Sequence, residues 1–408
     1  MTISRSESLI KLLIICPIDP AGRKIGGVET AIRTYVKFAP SNFEIEVVGF
    51  TTGDQGFRIG VWSETILNGR KIKFLPVIKD SAPNARKFLP LVLRFTAGLA
   101  RWRHKIDFQD RLLIFHRLEP AYVLKSVPAK KILFLHGNMS TYFNNEYCEN
   151  KWKKFKKLYF FIEPFFISEM EKIFVVSRSG RDLYQKRYSD FSSRFFFLPT
   201  WYDPHIFYRR DEDLRDKIRC RYNISSDTLV FIFIGRLEGQ KNPELLIKSF
   251  YLISQIYPDS KLLIVGEGSL KEALIRQIEE LDFAEKVDFV SFKNQNEIAE
   301  IINIANVMLL TSAWEGMPRV VLESLSCGVP VVATDAGETS IVVKDGESGR
   351  LISSAEPEDI AEGVRDVITF PLSSGQCQKA VADYSQEKVL SFLYDELRKV
   401  RESRTEHL

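Results

Sequence analysis

The chain of 408 residues contains no Cys-x-x-Cys pair, and its five cysteines, Cys16, Cys148, Cys220, Cys327 and Cys377, are scattered and odd in number. This argues against a disulfide framework or a structural zinc site and fits a reducing compartment. An apolar run near the N-terminus, Leu9 to Ile18, is broken by Lys11 and Pro17. It falls short of the ~20 apolar residues that span a bilayer. No small-residue cleavage site follows it, so it reads as a buried first strand and not as a signal peptide. A cytoplasmic protein is the expectation. Low-complexity tracts and short internal repeats are missing too. So is the three-glycine spacing of dinucleotide-binding loops: neither Gly26-Gly27 nor Gly266-Glu267-Gly268 has its third glycine in register, which counts against a nicotinamide enzyme. No nucleic-acid recognition motif is present, so nucleic acid is not an expected partner.

What is present is an ordinary globular composition, 45% hydrophobic and 27% charged. The length suggests two or three domains. The net charge of +4 hides an asymmetry. Residues 1–199 hold 33 Lys and Arg against 18 Asp and Glu, and the remainder holds 24 against 35. Such a split suggests that the first half meets an anionic ligand or surface, although it also suits a solvated exterior.

Short apolar runs of strand length alternate with helical patterns throughout. In the first half they are Leu12 to Ile15, Glu44 to Phe50, Arg111 to Phe115, Lys131 to Leu135, Ile173 to Val176 and Arg194 to Leu198. In the second half they are Leu229 to Ile234, Lys261 to Val265, Val287 to Val290, Val307 to Leu310 and Val329 to Thr334. Continuous apolar strands between helices predict parallel sheets covered on both faces. The fold class is therefore α/β with two doubly wound, Rossmann-like domains, and ligands are expected at the carboxyl ends of the strands. Pro204 breaks the pattern between them. The expected domains are 1–205 and 206–375, with a helical segment over 376–408.

Four segments carry chemistry. The first runs from Ser312 to Glu323 after the strand ending at Leu310 and contains Glu315, Gly316, Met317 and Pro318. Pro318 suits the first position of a helix, whose free N–H groups favour an anionic ligand. Glu315 and Glu323 are placed to accept hydrogen bonds from hydroxyls, although carboxylates there also complement the helix dipole. The second segment is Gly235 to Pro243, where Arg236 and Lys241 offer two cations at a strand end, suited to a diphosphate. The third is the glycine pair Gly26-Gly27, which lets backbone approach a ligand. The fourth is Phe134-Leu135-His136, which puts His136 at a strand end within reach of a ligand hydroxyl. His116 is similarly placed.

Taken in order, Gly235-Arg236-Leu237, Lys241-Asn242, Val265-Gly-Glu-Gly268, the Glu315 to Glu323 spacing and Cys327-Gly-Val-Pro-Val-Val332 resemble the retaining glycosyltransferases of family 4. The resemblance covers nearly the whole chain. It implies the GT-B fold, in which two facing Rossmann-like domains share an interdomain cleft. It also implies a UDP- or GDP-sugar donor, a glycan acceptor, retention of configuration and no required metal or cofactor. By the same resemblance Arg236 and Lys241 hold the donor diphosphate, Glu323 the ribose and Glu315 the transferred sugar. His136 lies beside that sugar, the Gly26-Gly27 loop closes over the site, and the last helix returns to the first domain. The sequence departs from the pattern at Gly337-Glu338, at Pro199-Thr-Trp-Tyr-Asp203 and at Ser291. A sugar-nucleotide epimerase, or a sugar-nucleotide-binding protein that has lost catalysis, would carry the same donor motifs.

Lys151, Trp152, Lys153, Lys154 and Phe155 open a segment with five lysines among aromatics. As a helix it would be basic and amphipathic, suited to an anionic membrane surface. Together with Arg101-Trp-Arg-His-Lys105 it suggests a lipid-linked acceptor and a peripheral position on the cytoplasmic face of the membrane. The alternative is a helix packed on its own domain with solvated lysines.

Overall fold

The computed structural model describes residues 9–22, 27–83, 88–136, 163–292 and 294–403. It divides into two compact units. The first is formed by residues 1–198 and 390–408, the second by residues 199–389.

The first unit is built on an eight-stranded sheet. Its strands are β1 (Ile10–Ile15), β2 (Phe43–Thr51), β3 (Ser63–Leu67), β4 (Arg70–Lys79), β5 (Arg111–Phe115), β6 (Lys131–Leu135), β7 (Lys172–Val175) and β8 (Phe195–Phe197), in the order β3-β4-β2-β1-β5-β6-β7-β8. All neighbours are parallel except β3 and β4. Those two form a hairpin around Asn68 and Gly69, which both have positive φ (52° and 86°), the combination a type I′ turn requires. The central strands are buried on both faces, so Leu12, Leu13, Ile14, Leu113, Ile114, Ile132 and Leu133 are fully or almost fully enclosed.

The second unit carries six parallel strands: β9 (Leu229–Ile234), β10 (Ser260–Val265), β11 (Val287–Val290), β12 (Val307–Leu310), β13 (Val331–Thr334) and β14 (Gly349–Ile352). Their order is β11-β10-β9-β12-β13-β14. The chain winds outward from β9 to β11, returns to the middle and winds the other way from β12. This is the doubly wound order, with its switch point between β9 and β12. The first unit has the same device between β1 and β5. Phe231, Phe233, Leu246, Phe250, Leu262 and Ile264 form the heart of the second core. Burying each such side chain contributes ~1.5–3 kcal/mol.

Among the described residues no helix is long and apolar enough to cross a membrane. None of their His, Cys, Asp and Glu side chains form a group of three that could hold a metal ion.

Candidate functional site

At the switch point of the second sheet, the loops after β9 and β12 lie against each other. Ala313 N–H donates to Gln240 O (2.9 Å), and the Gln240 side chain donates to Trp314 O (3.2 Å). Thr311 Oγ1 donates to the carbonyls of Lys241 and Asn242, both at 3.0 Å. Asn242 is left-handed (φ 45°, ψ 57°), a conformation its short polar side chain tolerates. The chain thereby turns sharply into the helix Pro243–Ile256, which has proline in its first turn.

This frame brings Lys241 and Glu315 together, 74 residues apart in sequence. Lys241 Nζ donates to Glu315 Oε1, and Ser312 Oγ donates to the same oxygen at 2.7 Å. Both charged side chains are largely enclosed. Arg236 is exposed and donates to Gln240 Oε1 at 3.1 Å, which holds its guanidinium over the same loop. The loop after β10 completes the wall. Leu237 N–H donates to Glu267 O (3.0 Å), and Glu238 accepts from Ser269 N–H (2.9 Å) and Ser269 Oγ (2.7 Å). A side chain on Gly266 would collide with the Gly235 carbonyl, so only glycine lets these loops touch.

The helix Arg319–Ser326 follows. Pro318 is extended (φ −73°, ψ 110°) and caps that helix; it is not the first helical residue that its ring geometry suggested. The N–H groups of Gly316, Met317, Arg319 and Val320 meet no acceptor among the described residues. Met317 is buried, and its carbonyl accepts from Thr200 Oγ1 at 3.2 Å. The loop after β13 braces this turn, since Glu338 N–H donates to Gly316 O at 2.8 Å.

Glu323 is the fifth residue of the helix and is 6% exposed. Its neighbour one turn back is Arg319, with Nη2 3.7 Å from Oε1. Among the described residues no N–H or O–H donates to this carboxyl group. Burial pushes its pKa up, and Arg319 offsets part of that. The Arg319 Nε is itself buried without a partner. A carboxylate and a guanidinium are thus held near one another with hydrogen-bonding capacity unused.

In the first unit His136 follows β6 and His116 follows β5, so both sit at carboxyl ends of adjacent strands. They are hydrogen-bonded through His116 Nδ1 and His136 Nε2 (2.7 Å). Burial and, for His136, the nearby Arg117 lower both pKa values; that of His136 falls to about 4. Tyr35, which the sequence reading passed over, completes the cluster through His116 Nε2. It lies buried beside Ile32 and Val36 on one face of the amphipathic helix Gly27–Lys37, and nothing in its spacing marks it as polar.

Gly27 opens the helix Gly27–Lys37, with open space where a side chain would stand. Gly26 and the segment Lys151, Trp152, Lys153, Lys154 and Phe155 lie outside the described residues. Arg101, Arg103, His104 and Lys105 are exposed beside Trp102, with the Arg101 guanidinium 5.6 Å from its ring.

A doubly wound sheet that carries two cations, two glutamates and unpaired amides in the segments after its switch-point strands is a Rossmann-like unit. Residues 215–384 match the family described as Glycosyl transferases group 1. The chain is 27% identical over 234 residues to an uncharacterized glycosyltransferase of Methanocaldococcus jannaschii, covering 56% of each chain. It is 29% identical over 211 residues to the GDP-mannose-dependent alpha-(1-6)-phosphatidylinositol monomannoside mannosyltransferase of Mycolicibacterium smegmatis, covering 50% of this chain and 54% of that one. The chain spans about half the length of these curated relatives. Likeness to solved structures extends further. Sucrose-phosphate synthase of Thermosynechococcus elongatus has a TM-score of 0.76 at 15% identity, over 96% of this chain and 99% of that one. HepE of Anabaena, in complex with UDP and glucose, has a TM-score of 0.69 at 16% identity, over 95% and 99%. The fold is that of the GT-B glycosyltransferases, with two Rossmann-like units.

Proposed function

We propose that the protein is a retaining glycosyltransferase that moves a hexose from a nucleotide-diphosphate sugar to a glycan or lipid-linked acceptor. The observation that carries this reading is the buried Glu323 carboxyl group, which accepts from no donor among the described residues, on the helix that follows the Lys241–Glu315 pair at the switch point of a sheet whose surrounding residues match the group 1 glycosyl transferases. Glu323 has the acceptors that a ribose diol needs. Arg236, Lys241 and the amides of Gly316, Met317, Arg319 and Val320 have the donors that a diphosphate needs. Glu315 accepts from the hydroxyls of the transferred sugar. The leaving diphosphate is stabilised by cations and amides already in place, so the site supplies electrostatic stabilisation from its own side chains and backbone. The second unit is the donor domain and the first is the acceptor domain, with His136 hydrogen-bonding a ligand hydroxyl there.

The UDP bound by Anabaena HepE and the GDP-mannose dependence of the mycobacterial relative support a nucleotide-sugar donor. The phosphatidylinositol monomannoside in that relative's name supports a lipid-linked acceptor, and with it a role in cell-surface polysaccharide or glycolipid synthesis. The basic residues Arg101, Arg103 and Lys105 and the segment from Lys151 to Phe155 would hold the protein at the cytoplasmic face of an anionic membrane.

A thermal-shift screen against UDP, GDP, ADP and their common sugars tests the reading. A ligand at 100 times its Kd stabilises the fold by ~2.7 kcal/mol. The expected result is a shift with one nucleotide that disappears in Arg236→Ala and Lys241→Met, together with sugar transfer or slow donor hydrolysis. No shift with any nucleotide overturns the donor site; binding without turnover overturns the enzyme.

A further inference from the structure

The histidines at the ends of β5 and β6 belong to a buried polar line that the donor chemistry leaves unexplained. Tyr35 Oη lies 2.8 Å from His116 Nε2, and His116 Nδ1 lies 2.7 Å from His136 Nε2. Tyr35 and His116 are 2% and 6% exposed, whereas His136 at the end of the line is partly open. The rings are stacked: the His116 and His136 centroids are 5.0 Å apart, and Phe134 packs 4.8 Å from His116.

Both imidazoles are neutral at physiological pH, because burial opposes their charging and Arg117 adds repulsion at His136. The other titratable groups that act on Tyr35 are Cys16, a buried thiol pushed up to about 12, and Tyr394, whose hydroxyl burial also pushes up, so neither brings a negative charge to offset this. A neutral imidazole has one N–H and one lone pair. The two rings must therefore point their protons in the same sense along the line, and Tyr35 decides which sense. Among the described residues its hydroxyl meets no partner but His116. If Tyr35 accepted from His116, its own hydrogen would be buried without an acceptor, at a cost of ~1–3 kcal/mol. Tyr35 thus donates to His116 Nε2. His116 carries its proton on Nδ1 and donates to His136 Nε2. The proton of His136 is left on Nδ1.

We propose that Tyr35 and His116 are positioning residues that hold His136 as the neutral Nδ1–H tautomer, so that it offers a hydrogen-bond donor, and not a base, to an acceptor oxygen of a ligand bound at the carboxyl end of the first sheet. That this oxygen is a sugar hydroxyl rests on the function proposed above; the tautomer does not.

The test is two-bond proton–nitrogen correlation NMR on the full-length, ligand-free protein with 15N-labelled histidine, comparing wild type with Tyr35→Phe. Loss of signals in His136→Asn assigns the ring among the five histidines. In wild type, His136 is expected to carry its proton on Nδ1 and a bare Nε2. In Tyr35→Phe, which removes one hydroxyl and keeps the ring, the His136 signal should become a mixture of tautomers. With UDP-glucose or GDP-mannose as substrate, whichever turns over, kcat/KM should fall about tenfold, the worth of one misdirected hydrogen bond. A wild-type His136 protonated on Nε2, or a tautomer that Tyr35→Phe leaves unchanged, overturns the proposal. Should Tyr35→Phe fail to fold, His116→Asn cuts the same line one step later. Because the NMR readout needs no donor, failure of the transferase reading leaves this result standing.

Discussion

Glu323 keeps a carboxyl group in a place that disfavours its charge. Its folded pKa lies above the ordinary glutamate range, because burial outweighs the attraction of Arg319. The folded state therefore binds the proton more readily than the unfolded chain does. Any stability drawn from this group is fully present below the unfolded pKa and is lost as pH rises through the folded value. Above the unfolded pKa the group is a burden on the fold, consistent with a residue retained for binding. Glu323→Gln is expected to melt at a higher temperature than wild type at pH 8, with the difference closing toward pH 4. It is also expected to lose the nucleotide-induced shift. Melting curves at the two pH values, with and without nucleotide, check both halves. A variant that melts lower than wild type at pH 8 would show that the carboxylate is satisfied in the fold.

At the scale of elements, the loop after β13 depends on one backbone conformation. Gly337 has φ +64°, and a side chain there would run into the carbonyls of Glu315 and Gly316. Gly337→Ala carries the left-handed penalty of ~1–2 kcal/mol and a backbone clash besides. It is expected to lower the melting temperature of the second unit by roughly 4–8 °C for ~2 kcal/mol, and to weaken nucleotide binding by displacing Glu315. Gly346 is the control. Its φ is +72°, but open space surrounds it. Gly346→Ala should show the smaller stability loss and unchanged nucleotide binding.

The same scale shows what the sequence disclosed. β9 and β12 are continuous apolar runs bounded by turn residues, and their limits read directly, as do those of β11 despite Asp288 within it. β14 was missed because its four residues include an arginine and a glycine and two of them are part exposed. The β3–β4 hairpin was missed because lysines and arginines alternate with its buried positions, as on a sheet edge with one wet face. Its Asn68-Gly69 turn was a legible signal that went unused. In the candidate site, the cations and glutamates stood out because charge beside a strand end is conspicuous. Tyr35 did not, because its role depends on two histidines brought to it by strand order, and no local pattern encodes that.

The largest such non-local dependence concerns the whole molecule. Residues 390–408 belong to the first unit, although nearly two hundred residues of the second precede them. The helix Gln386–Glu402 buries Leu390, Leu393, Tyr394, Leu397 and Val400. Tyr394 Oη donates to the carbonyl of Tyr35, Lys172 pairs with Glu396, and Lys130 donates to Val400 O at 2.7 Å, capping the helix end. Five buried apolar side chains at ~1.5–3 kcal/mol each amount to about 8–15 kcal/mol. That equals the entire stability of a typical domain. Deleting residues 390–408 is therefore expected to unfold the first unit while the second, whose core lies within residues 199–389, stays folded. Limited proteolysis should degrade the first unit and leave a resistant fragment close to residues 199–389 that still binds the nucleotide found in the screen. A truncated chain that keeps a protease-resistant first unit would mean that the helix is a passenger there. Loss of both units together would mean that neither folds without the other.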